Sequence, residues 1–158
     1  MAAPPATPVE GPRQSRFNRF LARWLASPFG VLSGRVVLAR YVGRVSGLPR
    51  QLPVNCDRFE NGYLIRVGHA AQKTWWRNFR SPWPMVIVRK GRRIHCSAVV
   101  VSGTTGDGQR MAADYFTRNH GAARRAGLPK MHEGEQPSPA ALQAAAAAMV
   151  FVVVTPQG

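Results

Sequence analysis

The chain has 158 residues, and its 22 Lys and Arg residues against 7 Asp and Glu residues give a formal net charge of +15 at pH 7. A hydrophobic share of 45% with 18% charged residues indicates a globular chain and excludes a disordered polyelectrolyte, and the length favours one compact domain. Nineteen of the basic residues are Arg, whose planar guanidinium suits phosphate and carboxylate groups. The charge therefore predicts an anionic partner, which could be a nucleic acid, an acidic membrane surface or a phosphorylated small molecule.

Several classes of protein do not fit the sequence. Two cysteines, Cys56 and Cys96, cannot form a disulfide framework and lack the spacing of a zinc site, so no metal site is predicted. A reduced pair of buried strand residues is favoured over a single disulfide. No apolar run reaches the ~20 residues needed to span a bilayer, and the Ala- and Pro-rich start does not resemble a secretory signal. A cytoplasmic location is expected, either in solution or peripherally on the inner membrane face.

The N-terminal part of the chain divides into two predicted segments. Residues 1–13 contain four prolines and are typical of a flexible arm. Residues 14–30 follow as a basic amphipathic helix, in which Arg16, Arg19 and Arg23 lie off an apolar stripe. The stripe consists of Phe17, Phe20, Leu21, Trp24 and Leu25. It either packs on the domain core, as such stripes commonly do, or lies on an anionic lipid surface.

The pattern then changes to strands with short hairpins. The predicted elements are strands over 36–42, 50–59, 63–67, 83–89 and 93–101, a helical turn that holds Trp75, Trp76, Asn78 and Phe79, helices over 107–119 and 140–148, and a buried final strand over 150–155. Asn61-Gly62 and Lys90-Gly91-Arg92 are typical hairpin turns. About six antiparallel strands with peripheral helices indicate a mainly-β α+β fold, a small barrel with one helical layer.

No standard catalytic motif is present. The sequence has no Gly-x-Ser-x-Gly elbow, no P-loop and no His-Glu-x-x-His helix, and its four histidines are scattered. Seven acidic residues also make a paired-carboxylate mechanism a poor fit. If the chain is an enzyme, a bound cofactor is expected to supply the chemistry.

The first informative segment covers residues 43–50, Gly-Arg-Val-Ser-Gly-Leu-Pro-Arg. Its two glycines permit a tight turn, and Arg44, Ser46 and Arg50 can direct hydrogen-bond donors toward an oxyanion. A plain basic hairpin connection is the alternative explanation.

The second informative segment covers residues 68–78, where a Gly-containing loop enters a helical turn. Such a loop offers backbone N–H groups to a phosphate, and Lys73 and Arg77 add positive charge. One of Trp75 and Trp76 is expected to flank a planar ring and the other to fill the core. Asn78 is expected to hydrogen-bond to backbone rather than to a ligand.

Together these segments carry a resemblance. Gly43-Arg44-x-Ser46-Gly47-x-x-Arg50, then Pro53, then Trp75-Trp76-x-Asn78 resembles the deazaflavin-dependent nitroreductase and quinone reductase family. Members of that family are split β-barrels that bind coenzyme F420, a phosphorylated deazaflavin hydride carrier with an acidic oligoglutamate tail. The resemblance covers about residues 17–102, with weaker agreement at 150–156, and implies a cofactor-binding domain over residues 31–158.

The resemblance implies a set of cofactor-binding residues in this chain. Those near the tail or phosphate would be Arg44, Val45 and Ser46; those along the ring and its ribityl chain would be Arg50, Gln51, Leu52, Pro53, Val54 and Asn55; those of the phosphate loop and its closing segment would be Val67, Gly68, His69, Lys73, Trp75, Trp76, Arg77 and Asn78. The family's usual loop lysine is absent or replaced by Lys73, and the helix after residue 105 lacks the family's tyrosines. Tyr115 and His120 are therefore the candidate catalytic proton donors, beside water.

The resemblance implies an oxidoreductase that uses reduced F420, or alternatively FMN, to transfer hydride to a lipophilic electron-poor substrate such as a quinone or nitro compound. A non-catalytic binder or carrier of a deazaflavin, flavin or similar anionic ligand is the alternative. A nucleic-acid-binding barrel is disfavoured because basic and aromatic residues do not alternate along one strand face. By analogy with related flavin barrels, a homodimer is possible.

Overall fold

The computed structural model describes residues 35–132 and 134–158. This part of the chain forms seven strands: β1 (Val36–Val42), β2 (Pro49–Asn55), β3 (Asp57–Phe59), β4 (Gly62–Arg66), β5 (Trp83–Arg89), β6 (Arg92–Ser102) and β7 (Val150–Pro156). Two 3-10 helices (Ala70–Gln72 and Trp75–Phe79) and three α-helices, α1 (Gly106–Arg118), α2 (His120–Arg125) and α3 (Pro139–Ala146), complete it. The predicted mainly-β α+β class is confirmed.

The strands form one antiparallel sheet in the order β2-β1-β5-β6-β7-β4-β3. The β5–β6 hairpin turns at Lys90 and Gly91, whose φ angles of 49° and 76° suit a two-residue hairpin turn. In the β3–β4 hairpin the turn instead lies at Glu60 and Asn61, and Gly62 is already in β4. A Cβ at Gly62 would overlap the Val154 carbonyl oxygen, so this glycine permits the close approach of β7.

The sheet curls into a partly closed barrel. Its two edge strands, β2 and β3, are separated in the chain by Cys56 alone, so the first and last strands of the sheet meet there. Beyond that point β2 lies against β4 without pairing to it. The barrel is therefore closed at Cys56 and split between β2 and β4.

The prediction of a single strand over residues 50–59 is wrong, because the chain bends at Cys56 between β2 and β3. The chain leaves the β2 ladder at Cys56, whose backbone N–H donates to the Arg35 carbonyl at 2.6 Å and whose side chain is buried. The bend converts one predicted strand into two, which gives seven strands rather than about six.

The barrel interior is filled by alternate residues of its strands. The buried members include Val37, Ala39, Tyr41, Val54, Tyr63, Ile65, Met85, Ile87, Cys96, Ala98, Val152 and Val154, with Phe79 from the second 3-10 helix. This period-two pattern is what a strand with one face in the core requires.

A second apolar cluster joins the outer face of the sheet to the helices. Phe151 is its largest fully buried side chain, and Met111, Ala112 and Phe116 of α1 pack there together with Ala146 of α3. Thr105 caps α1 by accepting from the Gly108 N–H, and Ser138 caps α3, which begins at Pro139. These helices confirm the predictions over 107–119 and 140–148, whereas α2 was not predicted. The predicted arm and amphipathic helix lie outside the described residues.

Candidate functional site

A cavity of about 180 Å³ lies at the split between β2 and β4. We call it the seam cavity. Three short segments supply its lining: Leu52, Pro53, Val54 and Asn55 from β2, Ile65, Arg66, Val67 and Gly68 from β4 and the residues after it, and Lys73 and Trp75 from the loop and helix that follow. Since β2 and β4 do not pair here, the gap is a direct consequence of the way the sheet closes.

Most side chains around the seam cavity are apolar and held by the core, whereas the surface that the cavity exposes is more polar than apolar. Val54, Ile65 and Val67 are buried members of the barrel interior. Trp75 is half-buried and meets Phe79 edge-on with ring centroids 6.1 Å apart. Phe79 in turn packs edge-on against Tyr41 at 5.1 Å. An indole held in this way is a fixed apolar surface on which a planar ring can rest.

The loop that leaves β4 contributes Gly68 and Lys73 to the lining of the seam cavity. A Cβ added to Gly68 would meet no atom within 4 Å, so the backbone there faces open space. His69 adopts the left-handed conformation at φ 52°, and the loop is fixed by the Trp76 indole N–H, which donates to the Ala70 carbonyl at 2.9 Å. The open backbone at Gly68 and the exposed ammonium of Lys73 both line the cavity, and donors of these two kinds suit an anion.

A second cavity of about 250 Å³ adjoins the first. We call it the arginine cavity. It is lined by Arg35, Asn55, Asp57, Arg66, Tyr115, Arg118 and Asn119, so that Asn55 and Arg66 belong to both cavities. The guanidinium of Arg66 lies over the Tyr115 ring at 4.8 Å from its centroid. The candidate site is thus an opening lined by both apolar and polar groups, with a basic cavity adjoining it.

The structure brings together only part of the residues implied by the resemblance. Eight of them line the seam cavity: Leu52, Pro53, Val54, Asn55, Val67, Gly68, Lys73 and Trp75. Nine do not: Arg44, Val45, Ser46, Arg50, Gln51, His69, Trp76, Arg77 and Asn78. Tyr115 lines the arginine cavity, whereas His120 lies at a separate cavity of about 210 Å³ beside Lys130 and Met131.

Arg44 has a structural task that the sequence did not reveal. Its backbone N–H donates to Asn78 Oδ1 at 2.8 Å, and its guanidinium donates to the carbonyls of Asn78 at 2.9 Å and Ser81 at 2.7 Å. The same guanidinium lies over the Trp83 ring at 4.3 Å. Asn78 also donates to the Trp75 carbonyl at 2.7 Å, which is the backbone role predicted for it. Arg44 therefore ties the β1–β2 turn to the helix that carries Trp75.

We expect Arg44→Ala to lower the free energy of unfolding by about 1–2 kcal/mol, because several charge-assisted hydrogen bonds are lost at a partly solvated site. Urea denaturation followed by circular dichroism measures this loss. Arg80→Ala is the control, since Arg80 is an exposed residue at the end of the same 3-10 helix. Equal stability of the two variants would contradict a structural role for Arg44.

The remainder of the β1–β2 turn is a compact hairpin. The Gly43 N–H donates to the Leu48 carbonyl, the Gly47 N–H donates to the Gly43 carbonyl, and both distances are 2.8 Å. Gly47 has a φ of 65°, and Ser46 Oγ accepts from the Leu48 N–H at 3.3 Å. Val45 at the tip is 98% exposed. These bonds account for the two glycines and Ser46 without a ligand, while cofactor contacts of the turn stay a prediction.

On β2, two further predicted residues point in different directions. Arg50 shares a strand face with Leu52 and Val54, which contact the barrel interior. Gln51 lies on the other face, where its Oε1 accepts from Arg40 Nε at 3.2 Å.

The sequence did not predict the basic lining contributed by Arg35, Arg66 and Arg118. Arg35 and Arg118 are distant in the chain from the two informative segments, and Arg66 lies just before the second of them, but an arginine at the end of an apolar strand or in a helix carries no distinctive signal. Their convergence depends on the curl that brings β4 and α1 to the end of β2.

Known proteins provide limited similarity. The sequence matches no protein-family model and no curated protein. Among solved structures, a pyridoxamine 5'-phosphate oxidase-related, FMN-binding protein from Nostoc punctiforme PCC 73102 is similar with a TM-score of 0.49 and 13% identity, over 90% of this chain and 81% of that one. A protein of unknown function from Agrobacterium tumefaciens str. C58 is similar with a TM-score of 0.48 and 17% identity, over 97% of this chain and 60% of that one. The FAD- and heme-binding protein from Mycobacterium smegmatis has a TM-score of 0.41 and 16% identity, over 91% and 67%.

Two further features of the described residues bear on the predictions. Within 35–132 and 134–158, no helix is long and apolar enough to cross a membrane. In the same part of the chain, no three His, Cys, Asp or Glu side chains are grouped to hold a metal ion.

Proposed function

We propose that the seam cavity binds the ring system of a deazaflavin such as F420, with FMN as the alternative, and that the chain is an oxidoreductase that reduces a lipophilic, electron-poor acceptor such as a quinone or nitro compound. The observation that carries this proposal is the meeting of eight residues from three segments around one opening. Those residues are eight of the fourteen that the resemblance implies for the ring with its ribityl chain and for the phosphate loop with its closing segment.

The chemistry of the lining supports a planar anionic ligand. The half-buried Trp75 offers apolar surface for a ring, Val54 and Val67 are buried members of the lining, and Gly68 and Lys73 offer donors to an anion. Asn55 and Arg66 are shared with the arginine cavity, so an acceptor there would adjoin a cofactor in the seam cavity. The lining therefore fits a cofactor whose ring and anionic groups are separate.

When bound, a reduced deazaflavin or flavin supplies a hydride, which carries two electrons to the acceptor. The chain's own residues would do the rest. Trp75 would orient the ring, Val54 and Val67 would exclude water from one side of it, and Lys73 would hold the anionic group. Tyr115, which is half-buried beside Arg66, would give its hydroxyl proton to the reduced acceptor, so that a quinone would gain one hydride and one proton.

A binding titration tests this proposal. We expect purified protein to quench deazaflavin fluorescence on binding, and we expect Gly68→Val to weaken that binding at least tenfold, which is about 1.4 kcal/mol, because a side chain would fill the open space at the loop. Gly106→Val is the matched control, since a Cβ at Gly106 also meets no atom within 4 Å and this residue lies outside the seam cavity.

The outcomes separate the candidate functions. Titration with FMN in parallel decides between the two cofactors. No binding of either one would overturn the proposal, as would equal binding by the two glycine variants. Tight binding without turnover of any quinone or nitro compound would favour the non-catalytic binder instead. Association of residues 14–30 with an anionic membrane and formation of a homodimer stay predictions, and the first concerns residues outside those described.

A further inference from the structure

We propose that the arginine cavity binds an anionic group of the acceptor, a carboxylate or a group of similar charge, so that the substrate combines an electron-poor ring with a negative substituent. This inference rests on the proposed function and narrows its substrate class.

The charge of the arginine cavity points to an anion. Its lining includes three arginines, Arg35, Arg66 and Arg118, and one carboxylate, that of Asp57, so the lining residues carry an excess of two positive charges. A cavity lined with an excess of one charge raises the local concentration of ligands of the opposite charge.

The three arginines differ in how they are held. Arg35 lies 3.7 Å from the Asp57 carboxylate, and Arg118 forms an ion pair with Asp114 one helical turn earlier. Arg66 takes part in none of the ion pairs formed within residues 35–132 and 134–158, and its guanidinium rests on the Tyr115 ring. Arg66 is therefore the donor available to a ligand, with its position fixed by an aromatic surface rather than by a carboxylate.

The position of Arg66 connects the anion to the reaction. Arg66 and Asn55 line both cavities, whereas Gly68 and Lys73 line the seam cavity alone. A cofactor with its own anion at Gly68 and Lys73 would place its ring toward Asn55 and Arg66. An acceptor lying against that ring would then reach the arginine cavity with any substituent it carries.

A pair of acceptors that differ only in charge tests the inference. We choose a benzoquinone with a propionate side chain and the methyl ester of the same compound, because two methylene groups insulate the ring from the change. Calorimetric titration of each compound into protein saturated with oxidised cofactor measures its affinity without turnover. The kcat/KM value with reduced cofactor measures how efficiently each compound is reduced. We expect the acid to be preferred at least tenfold at low salt, and the preference to shrink as salt is raised.

Two variants of α1 form a matched comparison. Arg118→Gln removes a guanidinium that lines the arginine cavity, and we expect it to reduce the preference for the acid several-fold. Arg110→Gln removes an arginine with the same kind of ion pair on the same helix, to Asp107, but outside this cavity, and we expect it to leave the preference unchanged. Arg66→Gln should abolish the preference for the acid. Arg118→Lys should retain part of the preference that Arg118→Gln loses.

The outcomes that overturn the inference differ from those that overturn the proposed function. The inference is wrong if protein that binds the cofactor and reduces acceptors shows equal affinity and equal kcat/KM for the acid and the ester, because the acceptor would then need no anion. Weaker cofactor binding by Arg118→Gln with an unchanged preference for the acid would assign the arginine cavity to the cofactor's own anion. Absence of cofactor binding would overturn the proposed function. An acid preference of the cofactor-free protein that Arg118→Gln removes would then still support the anion site.

Discussion

Phe79→Ala is expected to lower the free energy of unfolding by about 3–5 kcal/mol, as large-to-small changes of a fully buried aromatic residue do. Phe79 is 0% exposed and is among the largest fully buried side chains of the described residues. It lies edge-on to both Tyr41 and Trp75, at 5.1 and 6.1 Å. Its loss would open a void in the barrel core and remove the support of the indole at the seam cavity, so cofactor binding should weaken as well.

Urea denaturation and the fluorescence titration measure the two effects. Phe79→Leu keeps most of the apolar volume and is expected to cost less than Phe79→Ala in both measurements. Phe59→Ala is the matched control, because Phe59 is only partly buried at the end of the edge strand β3. If Phe79→Ala and Phe59→Ala cost the same stability, the central position assigned to Phe79 is wrong.

The strand pattern of this fold could be predicted from the sequence because it is local. Turn residues flanked by apolar runs predict hairpins at Asn61-Gly62 and at Lys90-Gly91. The second is observed at that turn, and the first is observed with its turn one residue earlier, at Glu60 and Asn61. The break at Cys56 could not be predicted in this way. It depends on a hydrogen bond to the Arg35 carbonyl, which is far away in the chain and comes near only after β1 and β2 pair.

The helices, too, were predicted where the sequence has clear local signals and missed where it has few. The capping residues Thr105 and Ser138-Pro139 mark α1 and α3 in the sequence and in the structure. Helix α2 was missed although its end has a local signal, since Gly127 has a φ of 82° and the Leu128 N–H donates to the Ala123 carbonyl. A six-residue helix has little apolar periodicity, so the capping glycine is the main feature of the sequence that indicates this helix.

The candidate site was predictable to the extent that its residues lie in continuous segments. Residues 52–55 of β2 and 67–68 after β4 meet because one strand of each hairpin borders the split. The motif residue Arg44 illustrates the opposite case. Its spacing with Ser46 and Arg50 indicates an anion-binding site, yet its guanidinium donates hydrogen bonds to the backbone carbonyls of residues 78 and 81. Sequence spacing indicates which residues are near one another but not which acceptors they contact.

The two free cysteines give the chain an expected sensitivity to alkaline pH. Burial raises the pKa of the Cys56 thiol to about 12 and that of the Cys96 thiol to about 11, from an ordinary value of 9.0. Burial also raises the pKa of Tyr41 to about 12, from 10.0. In each case the folded protein holds a proton that the unfolded chain releases at lower pH. The stabilisation is complete below about pH 9 and is lost as the pH rises toward the folded-state pKa.

This difference in protonation makes the free energy of unfolding fall with pH by up to about 1.4 kcal/mol per pH unit for each thiol above pH 9. We therefore expect the two thiols together to cost up to about 3–4 kcal/mol between about pH 8 and about pH 10.5. Urea denaturation at these two pH values measures the loss. The variant Cys56→Ala/Cys96→Ala should be less stable at the lower pH but should lose less on going to the higher one, because only Tyr41 of the three groups remains. An identical loss in the variant and the parent chain would show that the thiols do not control alkaline unfolding, since removing both would then have removed nothing that titrates with folding.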